Sequence, residues 1–576
     1  LARIAVLEAI PTHRRIQWHG RVLAALRSGP MNVDDLARLA FHAEEAEDEA
    51  AVLVYAPRAA AHASALGAHR EAAAQYARAL RHAEGLPPEQ RATLLEGHSL
   101  ECILTSQLAE AIASRRTAVE LRRALGDRLR EGDNLRWLSY VLWPAGHDGE
   151  ARKSGLAAVQ VLEGLEPSRE LAWAYVNLCQ LATYDYAGVA GAAAYAEQAV
   201  ALGERFGDPG VIVQARFHAA AARLLCTGSG WDECEQAVDS AIAQDLRVDA
   251  GLLASLMCWF AVLQRDGGRT AAAVERAEAY YLDHDLLSCL FAVRVSSSWG
   301  LLGRGLWAQA AETAQAILSH PSPPPCARAL ALTVLGLVRA RRGDPRVWPL
   351  LDEAAGLVEP GAVIASGPGW EARAEAAWLA GDDDRAQAEA AHGLAALGDR
   401  LNPWLTGALA CWIHRAGGVP PTVLASEPYA LELAGDWAAA AEAWEARGFP
   451  YEAALARLGG NAEAVAQALA TFESLDADPA TARARALLRA TGQPIPRRGR
   501  GSTPVPARLR RLGVTSREAD VLALLAQGLS NRQIAARLFL SPRTVEKHIE
   551  HLMAKTNSAN RAALATYASL LDTPTR

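Results

Sequence analysis

The sequence predicts an all-α fold in which a long helical-repeat body precedes a small four-helix domain. Ala, Leu, Arg and Glu dominate the composition while β-branched residues are sparse, which favours helix almost everywhere. A glycine-centred spacing recurs through the body, and helix N-terminal signals follow one another closely near the C-terminus. With 576 residues the chain exceeds the ~250–300 at which one hydrophobic core stops growing, so we expect more than one folded unit.

The composition excludes several classes of protein. Hydrophobic residues make up 51% and charged residues 21%, which is typical of a globular rather than a disordered chain. The longest apolar run, Leu252 to Leu263, is too short to cross a bilayer, so we expect a cytoplasmic protein without membrane contact. The eight cysteines form no C-x-x-C pair and are expected to be small buried hydrophobic residues. The sequence begins at Leu1 without a signal-peptide pattern, which suggests a fragment or a mis-started reading frame.

Charge is distributed unevenly along the chain. Residues 497–576 contain 14 Lys+Arg against 5 Asp+Glu, a net charge of +9. Residues 1–496 contain 44 against 60, a net charge of −16. A basic C-terminal segment on an acidic body indicates a polyanionic partner for that segment alone.

The body contains a recurring spacing in which a glycine is followed by small residues at +5, +9 and +12. Gly67, Gly146, Gly305 and Gly381 start such segments, and Gly435 starts one whose last position is lost. Further glycine turns occur at Gly230, Gly267 and Gly343, and from Gly230 to Gly381 the steps are 37, 38, 38 and 38 residues. This spacing predicts tandem helical hairpins, with glycine ending the first helix and small residues allowing close approach of the second.

These segments resemble tetratricopeptide repeats, as in Leu66-Gly67-Ala68-His69-Arg70-Glu71-Ala72 followed by Tyr76 and Leu80. Their period is longer than the usual ~34 residues. The resemblance implies an α-solenoid that serves as a sensor or scaffold, with a protein or small-molecule effector as its partner. Tryptophans near the turns (Trp231, Trp307 and Trp437) either pack the paired helices together, which we favour, or form a ligand surface.

The body has two interruptions and ends in a linker. We predict inter-repeat loops at His320 to Pro325 and at Glu359 to Gly369, because both are rich in Pro or Gly. The predicted domains are residues 1–55, a helical remnant or a junction to a missing N-terminal module; 56–490, the repeats; 491–511, a Pro/Gly/Arg linker; and 512–576, the four-helix domain.

Helix-start signals define the C-terminal domain. Thr515-Ser516-Arg517-Glu518 and Ser530-Asn531-Arg532-Gln533 are capping boxes, and the first predicted helix ends at Gly528. Ser541-Pro542 opens a third helix, and a fourth is predicted from about Asn560 to Leu571. Because only two residues separate the second helix from the third cap, the two helices should meet at a steep angle.

The third helix has one apolar and one polar face. Val545, Ile549 and Leu552 recur at i, i+4 and i+7 and are predicted to face the core. The opposite face carries Arg543, Thr544, Glu546, Lys547, Glu550, His551 and Lys555. This arrangement is typical of a recognition helix that enters the DNA major groove.

The runs Thr515 to Leu522, Gly528 to Ala535 and Ser541 to His548 resemble the LuxR-type helix-turn-helix family over about 60 residues. The resemblance implies phosphate contacts from the caps and from Ser541, Thr544, His548 and Lys555. It implies base contacts from Glu546, Lys547 and Glu550. The full predicted DNA-binding set is Asn531, Arg532, Ser541, Arg543, Thr544, Glu546, Lys547, His548, Glu550, His551 and Lys555.

Two features depart from a simple DNA-binding surface. Thr556 and Ser558 stand where the family usually has Leu and Val at core positions. Glu546 and Glu550 are acidic residues on a DNA-facing helix. Each either accepts a hydrogen bond from cytosine or, equally well, points to solvent or pairs with a neighbouring cation.

The helical body joined to this tail resembles the C-terminal part of the large ATP-binding LuxR regulators, in the stretches Gly20 to Ala43, Tyr55 to Ala60 and Ala377 to Asp382. The ATPase module of that family is missing, because no G-x-x-x-x-G-K-[ST] motif occurs and Lys153 lies in Ala-Arg-Lys-Ser-Gly. We therefore expect no cofactor, no metal, no catalytic residue and no enzymatic activity. The sequence predicts a transcription regulator that binds double-stranded DNA as a homodimer. The alternatives are a protein-interaction scaffold or a signalling-ATPase fragment whose tail binds DNA weakly or not at all.

Overall fold

A computed structural model defines the fold of most of the chain. It describes residues 11–29, 32–186, 188–284, 290–400, 402–490, 509, 512, 514, 516–538, 542–556, 558 and 560–569. Within these ranges the regular structure is helical and no strand is found, which confirms the all-α prediction. Of the predicted linker, residues 491–511, 491–508 lie outside the described residues, whereas Leu509 is described and buried.

Helices follow one another with short connections throughout the body. The body begins with one helix and a 3₁₀ turn at Val33–Asp35. After these, most helices pair with the helix that follows them in the sequence. The first half contains α1 (Thr12–Ser28), α2 (Leu36–Glu45), α3 (Glu49–Ala65), α4 (His69–Leu80), α5 (Pro88–Leu104), α6 (Leu108–Ala124), α7 (Arg128–Leu142), α8 (Asp148–Glu163), α9 (Arg169–Tyr184), α10 (Val189–Phe206), α11 (Pro209–Thr227), α12 (Trp231–Ala243) and α13 (Arg247–Leu263).

The second half of the body continues in the same way. It contains α14 (Gly267–His284), α15 (Leu290–Gly303), α16 (Trp307–Leu318), α17 (Pro325–Arg342), α18 (Trp348–Gly356), α19 (Val363–Leu379), α20 (Asp383–Leu397), α21 (Pro403–Arg415), α22 (Glu427–Leu433), α23 (Trp437–Ala446), α24 (Pro450–Arg457), α25 (Ala462–Ser474) and α26 (Asp478–Ala490). The C-terminal domain contains α27 (Ser516–Ala526), α28 (Asn531–Leu538), α29 (Pro542–Thr556) and α30 (Arg561–Ser569).

The repeat pattern in the sequence corresponds to helical hairpins. Gly381, with φ +84°, ends the turn between α19 and α20 in the left-handed region. The small residues that follow it, Ala386 and Ala390, are fully buried. A Cβ on Gly393 would lie 3.0 Å from Leu409, so only a small residue fits there. The same backbone conformation occurs at Gly67, Gly146, Gly230, Gly305, Gly343 and Gly435. The tetratricopeptide-like architecture is thereby confirmed.

Two local predictions differ from the structure. The turn before α14 takes its left-handed conformation at Arg265, whereas Gly267 is the first residue of the helix. Glycine is needed at position 267 for a different reason, because a Cβ there would lie 2.9 Å from the carbonyl oxygen of Arg447.

The predicted loop from Glu359 to Gly369 is wrong beyond residue 362, because α19 begins at Val363 and includes Pro368. The burial of this segment outweighs its local preference for a loop.

The tryptophans near the turns agree with the packing interpretation. Trp231 and Trp307 are both buried. The Nε1 of Trp307 donates to the carbonyl of Leu302 at 3.2 Å, and its ring meets Tyr451 edge to face. Trp437 packs against Gly460, where a Cβ would come within 2.7 Å of the indole ring.

Hairpin turns far apart in sequence touch along a row that we call the seam. The amide of Glu359 donates to the carbonyl of Gly146 at 3.1 Å, and the amide of Gly267 donates to Arg447 at 3.0 Å. Between these two contacts, Arg400 Nε donates to Asp185 Oδ1 at 3.0 Å. The order of the pairs indicates that successive turns of the solenoid superhelix stack edge to edge. Nothing in the repeat spacing had predicted this closure.

Buried ion pairs stabilise the interior of the second half. The guanidinium of Arg341 donates to both oxygens of Glu375, from Nε at 2.7 Å and from Nη2 at 3.0 Å. The same Nη2 also donates to Oε1 of Glu452 at 3.3 Å. Arg265 pairs with Glu371 close by. Such pairs fix the relative position of helices more than they add net stability.

No helix in the described ranges is both long and apolar enough to cross a membrane. The apolar run predicted from the sequence lies in α13, which is almost entirely buried. Six of the seven described cysteines are buried as well. Within the same ranges no group of three or more potential metal ligands is found.

The carboxyl group of Asp148, the first residue of α8, should make the stability of the fold depend on pH. Burial, with a smaller contribution from Glu359, raises the pKa of this carboxyl to about 6, although Arg152 and Arg400 act in the opposite direction. Because the pKa is higher in the folded than in the unfolded chain, the ionised carboxylate destabilises the fold. Stability is therefore greatest below the unfolded pKa of ~3.9 and declines as pH rises through about 6.

The substitution Asp148→Asn should accordingly stabilise the protein at pH 7.5 by about 1–3 kcal/mol and have little effect at pH 4. Urea unfolding at the two pH values measures the difference. Asp384→Asn, at an exposed carboxylate, is the matched control and should leave the pH profile unchanged. An equal effect of Asp148→Asn at both pH values would contradict the assignment.

Candidate nucleic-acid interface

The C-terminal domain is a compact four-helix unit with its own apolar core. The four predicted helices are all present, and the fourth is described from Arg561 to Ser569; the last two residues of its predicted range lie outside the described residues. The core is formed by Leu509, Val514, Ala519, Val521, Leu522, Leu525, Ile534, Ala535, Val545, Ile549, Leu552, Leu564 and Ala568. It includes the three residues of α29 that the helical spacing had assigned to the core.

The turn between α27 and α28 has the predicted capping chemistry. Gly528 ends the first helix with φ +78°. The amide of Ser530 donates to Gln533 Oε1 at 2.9 Å, and the amide of Gln533 donates back to Ser530 Oγ at 3.4 Å. This reciprocal pair is a capping box. Of the other box, Thr515 lies outside the described residues.

The outward face of α29 carries most of the predicted DNA-binding residues. Arg543, Glu546, Lys547, Glu550 and His551 are exposed, as is Arg532 on α28. Thr544, His548 and Lys555 are half-buried at the edges of this face. Ser541 lies outside the described residues. The structure therefore brings two cations and two carboxylates together on one accessible helix surface.

Two acidic residues, Glu546 and Glu550, lie on this face. Within the described part of the chain, neither Glu546 nor Glu550 forms an ion pair. Both carboxylates are exposed, and neither pairs with Lys547 or Arg543, so the interpretations that stay open are that they point to solvent or that they contact base edges. Their oxygens are available to accept hydrogen bonds from base edges.

Lys555, expected to contact phosphate, has a second role in the structure. Its Nζ donates to both oxygens of Glu518 on α27 at 2.6 and 2.8 Å, and the Glu518 side chain is only 4% exposed. His551 Nδ1 lies 3.8 Å from the same carboxylate. The Lys555–Glu518 pair therefore holds α29 against α27.

The sequence had not singled out Arg561, the first residue of α30. Its guanidinium donates to the carbonyl of Leu529 and to Oδ1 of Asn531, and so joins the fourth helix to the start of α28. Asn531 is consequently engaged in positioning α28. A signal existed in the sequence, because an arginine directly after the Asn560 cap opens the fourth helix.

The departures at Thr556 and Ser558 are accommodated locally. Thr556 Oγ1 donates to the carbonyl of Leu552 at 2.7 Å and lies 2.8 Å from Ser558 Oγ. The amide of Ser558 donates to Met553 at 3.0 Å. The hydroxyls satisfy each other at the end of α29, and the core still closes through Leu564 and Ala568 on α30.

Comparison with known families assigns this domain. Residues 513–568 match the model of the bacterial regulatory proteins, luxR family. A putative HTH-type transcriptional regulator of Mycobacterium bovis is 46% identical over 77 residues, which cover 13% of this chain and 9% of the relative. The DNA-binding transcriptional activator DevR/DosR of Mycobacterium tuberculosis is 41% identical over 59 residues, which cover 10% and 27% of the two chains.

Among solved structures, the chain is similar to a Rap protein complexed with competence and sporulation factor. The two share 13% sequence identity with a TM-score of 0.35, over 60% of this chain and 94% of that one. The sequence relatives are matched over only a small part of their own length, at the C-terminal domain. The family assignment is therefore confined to residues 513–568, which match the helix-turn-helix domain of the bacterial regulatory proteins, luxR family.

Proposed function

We propose that the protein is a transcription regulator in which α29 reads the DNA major groove and the helical repeats act as a sensor or scaffold. The observation that carries the proposal is the exposed polar face of α29, held on a closed apolar core. Arg543 and Lys547 supply positive charge there, and Glu546 and Glu550 supply hydrogen-bond acceptors. The net charge of +9 in residues 497–576 supports attraction to a polyanion.

The dimensions of α29 suit this role. Its 15 residues correspond to about 22 Å of helix, and the major groove is ~12 Å wide. Glu546, Lys547 and Glu550 are spaced so that they share one side of the helix, with Arg543 one turn earlier. We infer that this side faces base edges and that Arg532 and His548 contact the phosphate backbone.

We also infer that two copies bind paired half-sites. One helix-turn-helix domain buries only about 600–1,000 Å² on DNA, so dimerisation would supply much of the affinity. The regulator would act by binding alone, without a catalytic step, and an effector would bind the repeats.

DNA binding can be tested with the double substitution Lys547→Ala and Thr544→Ala in the full chain. We expect the affinity for duplex DNA to fall about tenfold or more. The slope of log affinity against log salt concentration should also become shallower by about one. Fluorescence anisotropy on duplexes chosen by genome-wide footprinting measures both. Lys153→Ala removes an exposed lysine from the repeats and is the matched control. If the double variant binds duplex DNA as tightly as the parent, the assigned reading face is wrong.

The alternative, a scaffold whose tail has lost DNA binding, drew its support from Thr556 and Ser558. Since their hydroxyls are hydrogen-bonded and the core closes around α30, that argument no longer favours it. The footprinting experiment separates the two functions, because a scaffold would yield no protected sites.

A further inference from the structure

A cavity lies between hairpins that are distant in the sequence. It has a volume of about 880 Å³ and opens to solvent. Ligand sites in proteins are commonly ~300–1,000 Å³. Its walls come from residues 225–228, 264–269, 403–404, 424–427 and 443–447. The cavity therefore borders the seam, and its shape depends on how the superhelical turns stack.

Arg447 is the most unusual residue of this cavity. It is half-buried, and its guanidinium lies 4.7 Å from the centre of the Trp404 ring. One nitrogen donates to the carbonyl of Gln264 at 3.0 Å. Burial lowers the pKa of Arg447, and no carboxylate in the described ranges forms an ion pair with it.

The other buried arginines of the second half are paired. Arg265, Arg341 and Arg415 each meet a glutamate, in the last two cases through two hydrogen bonds. Arg447 therefore differs from them: Asp266 and Glu427 act on it electrostatically, but no carboxylate in the described ranges lies within ion-pair distance of its guanidinium at the wall of the cavity. A guanidinium in this setting is suited to bind a carboxylate from a ligand.

Charges of both signs line the cavity. Glu427, exposed at the start of α22, interacts electrostatically with Arg447, although no cation in the described ranges lies within ion-pair distance of it. Asp266 is already used, since its Oδ1 accepts from the amide of Arg269 at 2.8 Å and caps α14. Asp266 also pairs with Arg269 at 3.8 Å, and with Arg447 and Glu427 the lining carries two charges of each sign and is neutral overall. A dianion such as phosphate would be repelled by the two carboxylates, whereas a ligand with one charge of each sign is matched.

The remaining wall is apolar. Leu225, Pro403 and Leu424 line it, and Leu424 is 62% exposed. An exposed leucine in the same lining as Arg447 and Glu427 provides a surface for an aliphatic or aromatic group.

We propose that this cavity binds a small zwitterion of the amino-acid type with an apolar side chain, its carboxylate on Arg447 and its ammonium group facing Glu427. The inference deepens the proposed function, because it names a chemical class of effector for the repeats. Arg447 also forms the seam, through its own carbonyl with the amide of Gly267 and through its guanidinium with Gln264. A ligand bound to Arg447 would contact both superhelical turns and stabilise the closed seam.

Isothermal titration calorimetry of the full chain tests the proposal with L-leucine and L-phenylalanine. L-leucinamide lacks the carboxylate and N-acetyl-L-leucine lacks the ammonium group. We expect a free amino acid to bind and each blocked form to bind about tenfold or more weakly than L-leucine. Arg447→Gln should weaken L-leucine binding by a similar factor. Arg346→Gln, at an exposed arginine paired with Asp344, should leave it unchanged.

Because Arg447 also forms the seam, a second variant separates ligand binding from folding. Glu427→Gln removes only the proposed ammonium partner, so it should weaken L-leucine binding and leave N-acetyl-L-leucine unaffected. The absence of binding by both amino acids, or equal binding by the parent and Arg447→Gln, would overturn the proposal. These measurements contain no DNA, so their failure would leave the DNA-binding function standing.

Discussion

Replacing Glu432 by Leu should lower the free energy of unfolding of the repeat region by about 3–5 kcal/mol. Glu432 accepts two hydrogen bonds from Arg415, at 2.6 and 2.7 Å, and both side chains are only 8% exposed. Without the carboxylate, a guanidinium would remain buried beside Trp412 with no counter-charge. Chemical denaturation followed by tryptophan fluorescence measures the loss.

A double substitution provides the control for this prediction. Changing Arg415→Met together with Glu432→Leu removes both charges and keeps the volume similar. A buried ion pair replaced by apolar groups is often neutral or stabilising, so most of the lost stability should return. If the double variant is as unstable as Glu432→Leu alone, the effect comes from packing and the unpaired charge is not its cause.

The substitution Leu552→Ala should unfold the C-terminal domain and abolish DNA binding while the repeats stay folded. Leu552 is fully buried at the centre of the small core. Truncating a buried leucine costs about 2–5 kcal/mol, and a domain of this size has a total stability of only about 3–8 kcal/mol. The expected loss is therefore comparable to the total free energy of unfolding of the domain.

Circular dichroism and anisotropy together check this outcome. A melting curve should retain the large transition of the repeats and lose the smaller one, and duplex DNA should no longer bind at low salt. Ala554→Ser, at an exposed position of the same helix, should change neither measurement. Retention of DNA affinity by Leu552→Ala would show that the core of this domain tolerates the cavity.

The C-terminal domain was predictable from local sequence because its signals are local. Ser530 and Gln533 cap a helix within four residues, and Val545, Ile549 and Leu552 mark a buried stripe by spacing alone. Lys555 was harder to interpret. Its role depends on Glu518, which lies 37 residues away in the sequence, and such a partner can be identified only in three dimensions.

The sequence by itself determined the all-α class, the hairpin repeats and the four helices of the C-terminal domain, because periodicity, glycine turns and caps act within one or two helical turns. Only the tertiary structure decided which turns stack at the seam and which arginines are paired. It also overrode the loop predicted around Pro368, since burial of α19 outweighs local propensity. The surroundings of Arg447 were likewise decided by the tertiary structure. They come from hairpins about 180 residues apart, and the repeat spacing does not indicate that these hairpins touch.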